Sequence, residues 1–238
     1  MSKKYLIFGA TGAIGSSLAK QLSKNKKDCH LIGRNRAELE SLSKELDFEY
    51  SICDVLEDGF EEKLKNELST LEIQGIAYCI GSIELKPFRL TKAKDFVSCF
   101  SLNLVSITNI IRVFQESLKK NEGSIVLFST VAAQKGFTNH SIISSAKAAV
   151  EGLTVSLAAE FAPNIKVNCV APSLTNSKIS QPILKNKLMA EAIAKAHPLK
   201  RIGEGKDAAS VARFLLTQES SWITGQIIGV DGGRSRLA

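Results

Sequence analysis

The sequence predicts an α/β fold, a doubly wound parallel sheet of seven strands with helices on both faces. Short β-rich runs alternate with helix-period segments along most of the chain. The runs are apolar almost throughout, as in Leu6-Ile7-Phe8 and Ile125-Val126-Leu127-Phe128, the pattern of strands covered on both faces. The 238 residues, 44% of them hydrophobic, suit one domain with a sizeable core over residues 1–238.

Strands are expected near residues 4–8, 29–33, 48–53, 75–80, 123–129, 165–171 and 226–230. Helices are expected between them, near 13–24, 36–46, 57–70, 92–120, 140–162 and 206–218. Repeated β-α units imply right-handed crossovers and a Rossmann-type sheet, whose ligands gather at the carboxyl ends of the strands. Residues 174–200 leave this rhythm. Ile179, Ile183, Leu184, Leu188, Met189 and Ile193 recur there at near-helical spacing among Lys178, Lys185, Lys187 and Lys195, a pattern of an amphipathic surface helix.

Composition narrows the classes. No apolar run approaches the roughly 20 residues of a membrane span, and the run after Lys3-Lys4 is too short for a signal-peptide core. Five scattered cysteines, Cys29, Cys53, Cys79, Cys99 and Cys169, lack a CxxC pair. They read as buried thiols in a reducing cytoplasm, with no metal site. The net charge of +7 is spread along helical segments, and no nucleic-acid motif accompanies it.

After the first strand comes Gly9-Ala10-Thr11-Gly12-Ala13-Ile14-Gly15, leading into a helix. Gly9 permits the tight turn, Gly12 a close backbone approach to a pyrophosphate, and Gly15 close helix packing, with Thr11 and Ile14 in the same loop. The strand-turn-helix context points to a dinucleotide. The second strand ends in Gly33-Arg34, where NAD sites usually place a carboxylate for the ribose hydroxyls. A guanidinium at that point suits a 2′-phosphate, so NADP(H) is favoured over NAD(H).

Further segments resemble the short-chain dehydrogenase/reductase family, in order and nearly end to end. They are Asp54-Val55, Gly81, Asn103, Ser129-Thr130, the run Ser145 to Thr154 around Lys147, Pro172-Ser173, and the ending Val230-Asp231-Gly232-Gly233. The resemblance implies adenine contacts at Asp54 and Val55, and a cofactor contact at Gly81. It puts Thr130 at the serine position, Asn103 at the helical asparagine, Lys147 as the cofactor-holding lysine, and Pro172 and Ser173 beside the nicotinamide. It makes 174–200 a mobile substrate lid, with Ser177 near the cofactor. It also implies a homodimer or homotetramer through the two long helices.

The family's tyrosine stands four residues before its lysine; here that residue is Ile143. The three tyrosines, Tyr5, Tyr50 and Tyr78, lie in the amino-terminal strands. His140, seven residues before Lys147, falls on nearly the same helical face. The family's enoyl reductases carry their tyrosine at that spacing. Imidazole changes charge near neutral pH, so His140 is the candidate substitute, beside its plainer reading as a helix-start residue. His30 and His197 read as strand filler and a helix end. The expected function is an NADP(H)-dependent oxidoreductase acting on a small carbonyl, alcohol or conjugated C=C substrate, with catalytic residues Asn103, Thr130, His140 and Lys147. The alternative is a catalytically degenerate nucleotide-binding regulator or scaffold.

Overall fold

The computed structural model describes residues 3–237. Its strands are β1 (Lys4–Phe8), β2 (Asp28–Gly33), β3 (Glu49–Ile52), β4 (Ile73–Tyr78), β5 (Ser124–Phe128), β6 (Lys166–Pro172) and β7 (Ile227–Val230). They form one parallel sheet in the order β3-β2-β1-β4-β5-β6-β7. Leu6 of β1 stands between His30 of β2 and Ile76 of β4. The winding therefore reverses between β1 and β4, which is where a doubly wound sheet opens its ligand crevice.

Alternation along each strand divides the core in two. Leu6 and Phe8 pack with Phe60 and Leu64 of α3 (Phe60–Glu67), Ile107 and Phe114 of α5 (Ser106–Lys120), and Val150 and Phe161 of α6 (Ser141–Phe161). Tyr5 and Ile7 face the other way, onto Leu18 and Leu22 of α1 (Ala13–Lys24), Leu39 and Leu42 of α2 (Arg36–Leu46), and the small face Ala208, Ala209 and Ala212 of α9 (Gly205–Leu216). Strands buried on both sides need the uninterrupted apolar runs the sequence has.

Three elements differ from their predicted form. The helix expected over 57–70 is only α3, because Gly59 enters it at φ +75 in the left-handed region, fixing the start. The helix expected over 92–120 is α4 (Ala93–Phe100) joined to α5 through a π-helical turn, Ser101–Val105. Such turns often mark functional positions, and this one carries Asn103. In the 174–200 segment the near-helical run splits into α7 (Gln181–Leu184) and α8 (Lys187–Lys195). Asn186 makes the break, its Oδ1 accepting from Met189 N at 3.1 Å and starting a new helix.

By length and composition, the continuous helix Ala93–Lys120 and helix α6 are apolar enough to cross a membrane, which the sequence pattern did not suggest. Each lays one face on the sheet.

Candidate active site

A cleft of about 1130 Å³ runs along the carboxyl ends of the central strands. That exceeds the usual ~300–1,000 Å³ of a small-molecule pocket and leaves room for a dinucleotide and a second molecule. At one end Gly9, Thr11, Gly12, Ala13 and Ile14 line it. Gly9 turns out of β1 at φ +73, a conformation that costs glycine nothing. Gly12 precedes α1 without any side-chain cap, and the first turn of α1 holds no acidic residue. The unpaired N–H groups and helix dipole there make an anion site.

Gly15 stands back from the cleft. A Cβ on it would lie 2.3 Å from Gly9 O, so it serves the packing of α1 on the β1 turn. Gly33, Arg34, Asp54 and Val55 complete this end. Arg34 Nη1 lies 3.4 Å from Asp54 Oδ2, with the arginine side chain 71% exposed. Glu38 of α2 receives Lys178 from the 174–200 segment at 2.6 Å. That ion pair spans from the 174–200 segment to α2 at the edge of the cleft.

The other end is built on β5, α6 and β6. Lys147 is buried, its Nζ donating to Phe128 O at 2.8 Å. Burial lowers its pKa to about 8, against a smaller opposing influence from Cys169, Cys99 and Cys79. Gly81 lines the cleft directly above it; a Cβ at Gly81 would lie 3.3 Å from Asn103 Oδ1 and 3.4 Å from Lys147 Nζ.

Asn103 does not line the cleft. It is fully buried beneath Gly81, its Nδ2 donating to Cys99 O at 2.9 Å while Oδ1 has no hydrogen-bond partner. This residue, expected to be catalytic, thus keeps one acceptor for a water or for the Lys147 ammonium.

Ser129 is turned away, donating to Glu151 Oε1 at 2.7 Å. Thr130 lines the cleft; its Oγ1 accepts from Ala132 N at 3.3 Å, leaving its own hydrogen free to donate. Ile143 and His140 both line the same wall. Ile143 is packed against Cys99, Ile142 and Ala146. His140 Nδ1 lies 2.7 Å from Thr138 O. A carbonyl only accepts, so Nδ1 carries hydrogen and Nε2 is the exchangeable site: acceptor when the ring is neutral, donor when it is charged.

The family model described as enoyl-(acyl carrier protein) reductase matches residues 9–235. The protein belongs to the short-chain dehydrogenase/reductase family. A tropinone reductase homolog of Arabidopsis thaliana is 32% identical, over 97% of this chain and 91% of its own. Carbonyl reductase family member 4 of Xenopus laevis is 31% identical over 98% of both. Among solved structures, a gluconate 5-dehydrogenase from Burkholderia cenocepacia, in complex with NADP and tartrate, superposes with a TM-score of 0.92 at 20% identity, covering 100% of this chain and 97% of that one. At that identity the likeness speaks for the fold alone. This short-chain dehydrogenase/reductase is accordingly an oxidoreductase of a family that binds nicotinamide cofactors. The uncapped α1 terminus and the glycine-lined cleft fit such a cofactor: Gly9, Thr11, Gly12 and Ile14 for the pyrophosphate, Asp54 and Val55 for the adenine side, and Gly81, Lys147, Pro172 and Ser173 for the nicotinamide side.

Sequence reasoning gave His197 and Arg234 no place in the cleft. His197, read as a helix end, is 2% exposed, and its Nε2 lies 2.8 Å from Ser173 Oγ. Its Nδ1 donates to Ile193 O at 2.7 Å, so the neutral ring accepts the Ser173 hydroxyl hydrogen. This bond ties the end of the 174–200 segment to the residue that follows β6. Arg234, beyond the last strand, also lines the cleft. Nothing in the local sequence signals either; both reach the site through the tertiary path of the lid and the tail.

Proposed function

We propose that this oxidoreductase is an NADP(H)-dependent reductase whose proton site is His140 in place of the family's tyrosine. The observation that carries the reading is the wall of α6. Lys147 and His140 both border the cleft, and the position between them that should hold a phenol is the apolar Ile143. When bound, the reduced nicotinamide supplies a hydride. His140 Nε2, charged, donates to the substrate oxygen as the hydride reaches carbon, and takes a proton back from solvent. Thr130 Oγ1 holds the same oxygen, and Lys147 holds the nicotinamide side. With a ketone the product is an alcohol. With a conjugated C=C the hydride goes to the β-carbon, the oxygen bears the enolate charge, and solvent protonates the α-carbon. The carbonyl reductase and enoyl reductase descriptions of the relatives favour these two substrate classes.

Arg34 beside Gly33, at the end of the cleft where α2 begins, supports NADP(H) over NAD(H). Fluorescence titration with both cofactors tests this. NADPH is expected to bind at least about tenfold tighter, and Arg34→Asp to reverse the order, since a 2′-phosphate contact is worth ~1.5–3 kcal/mol. Equal binding of the two would overturn the preference. Ile143 also favours the second reading, a cofactor-binding regulator without turnover. Wild-type reduction of any ketone or enone that falls with His140→Ala excludes it.

A further inference from the structure

Charge is distributed unevenly along the cleft. The cations at the nucleotide end each face a carboxylate: Arg34 has Asp54 at 3.4 Å and Lys178 has Glu38 at 2.6 Å. These are the two carboxylates among the lining residues. At the substrate end Arg234 has none. Its Nη1 donates to Ala196 O at 3.1 Å, and among the described residues no other acceptor meets its guanidinium. A half-buried guanidinium has five donors in a planar fork, and leaving four of them without a protein acceptor in a partly desolvated wall is costly.

The guanidinium is nevertheless held in place. It lies over the Phe137 ring, 5.5 Å from its centre, where the ring quadrupole attracts a cation without satisfying its N–H groups. The same ring packs against His140, with centroids 5.4 Å apart. Phe137 thus carries the proposed proton site at one edge and the unpaired cation on its face. The surroundings contributed by the lid are apolar: Ile179, Ile183, Met189 and Ile193. A fixed planar cation with no carboxylate partner among the described residues suits an oxyanion taken by two parallel N–H···O bonds, and a carboxylate is the smallest such group a carbonyl compound carries.

We propose that the substrate is a small carboxylate-bearing ketone or enone, an oxo acid or an oxo-enoate, whose carboxylate is bound by Arg234 while its separate, reacting carbonyl faces His140. The substrate class rests on the reductase reading; the anion site does not. No chemistry beyond hydride transfer from the cofactor and proton transfer from His140 is required.

The test uses the full-length protein with NADPH, and pyruvate, acetoacetate, levulinate and 4-oxopent-2-enoate, each against its uncharged amide. At least one acid is expected to exceed its amide in kcat/KM. Arg234→Gln should lower that acid-to-amide ratio by about ten- to a hundredfold, mainly through KM, with Arg234→Lys recovering part of it. Binding of the same acids to the NADP⁺-loaded protein is followed by calorimetry, which needs no turnover. Acid binding that Arg234→Gln abolishes supports the anion site even where no compound turns over, the result in which the reductase reading alone fails. Amides reduced as well as acids, with a ratio unmoved by Arg234→Gln, would leave a reductase and overturn the carboxylate assignment. An equal fall on acid and amide, accompanied by weaker NADPH binding, overturns it as well, because Arg234 would then serve the cleft's architecture.

Discussion

His140 and Lys147 sit on one helix and one cleft wall, yet their environments set opposite demands. His140 is part-exposed with Nδ1 committed to Thr138 O, so it acts as an acid only when the ring is charged. His140→Ala should lower kcat by roughly 10²–10⁴-fold; an unchanged kcat would eliminate the histidine. Lys147 is buried and its pKa falls from 10.5 to about 8 because the ammonium is desolvated. The unfolded chain holds that proton to higher pH than the folded one. Between about pH 8 and 10.5 the unfolded state thus binds more protons, and stability rises with pH across that window. Below it the full cost of the buried charge, about 3 kcal/mol by the size of the shift, weighs on the cofactor-free protein. Lys147→Met, shape-matched and uncharged, should stabilise the cofactor-free protein by ~1–3 kcal/mol at neutral pH. The gain should shrink above about pH 10, as measured by urea denaturation at several pH values. A gain independent of pH would mean that Lys147 is not held charged.

At the level of elements, the turn from β1 into α1 is the tightest joint near the cleft. A methyl on Gly15 would meet Gly9 O at 2.3 Å, and the obstacle is backbone that cannot rotate away. Gly15→Ala should cost about 1–3 kcal/mol in a denaturation curve and weaken NADPH binding, because α1 must withdraw its amino terminus from the anion site. Undiminished NADPH binding would separate the packing from the site. This joint was legible in the sequence because three glycines between a strand and a helix have few other uses. The strands were legible for the same kind of reason: burial on both faces leaves an apolar run no alternative. Local patterning failed where a local cap interrupted the apolar spacing or where the determinant was distant. The near-helical apolar spacing of 174–200 continued through Lys185-Asn186, where a side-chain cap breaks the helix. His197 and Arg234 carry no motif, and they enter the cleft only because the lid folds back to β6 and the tail passes Phe137. Asn103 was found by resemblance, but sequence register says nothing of Gly81, the glycine that lies over it.

At the scale of the whole molecule, the two longest helical runs pose a question the single chain does not answer. Ala93–Lys120 and α6 have their most apolar windows only 33% and 39% buried. Val97, Val105 and Val155 stand 64%, 49% and 51% exposed upon them. One face of each helix is spent on the sheet, so the remaining apolar surface needs a second cover. We propose that a second copy of the chain, packing these helices against their equivalents, covers it through a self-complementary interface; small residues on α6 such as Ala148, Gly152 and Ala159 allow close approach. Sedimentation of the purified protein should therefore give a dimer or tetramer. Val105→Glu and Val155→Glu together should shift it toward monomer, since each places a charge where apolar faces meet. NADPH binding should survive, because neither residue borders the cleft. A wild-type monomer at micromolar concentration, with the valines substituted at no consequence, would mean that these faces are covered by something other than this chain. If the protein then partitioned onto lipid vesicles, and lost that partitioning with the two glutamates, the cover would be a membrane surface.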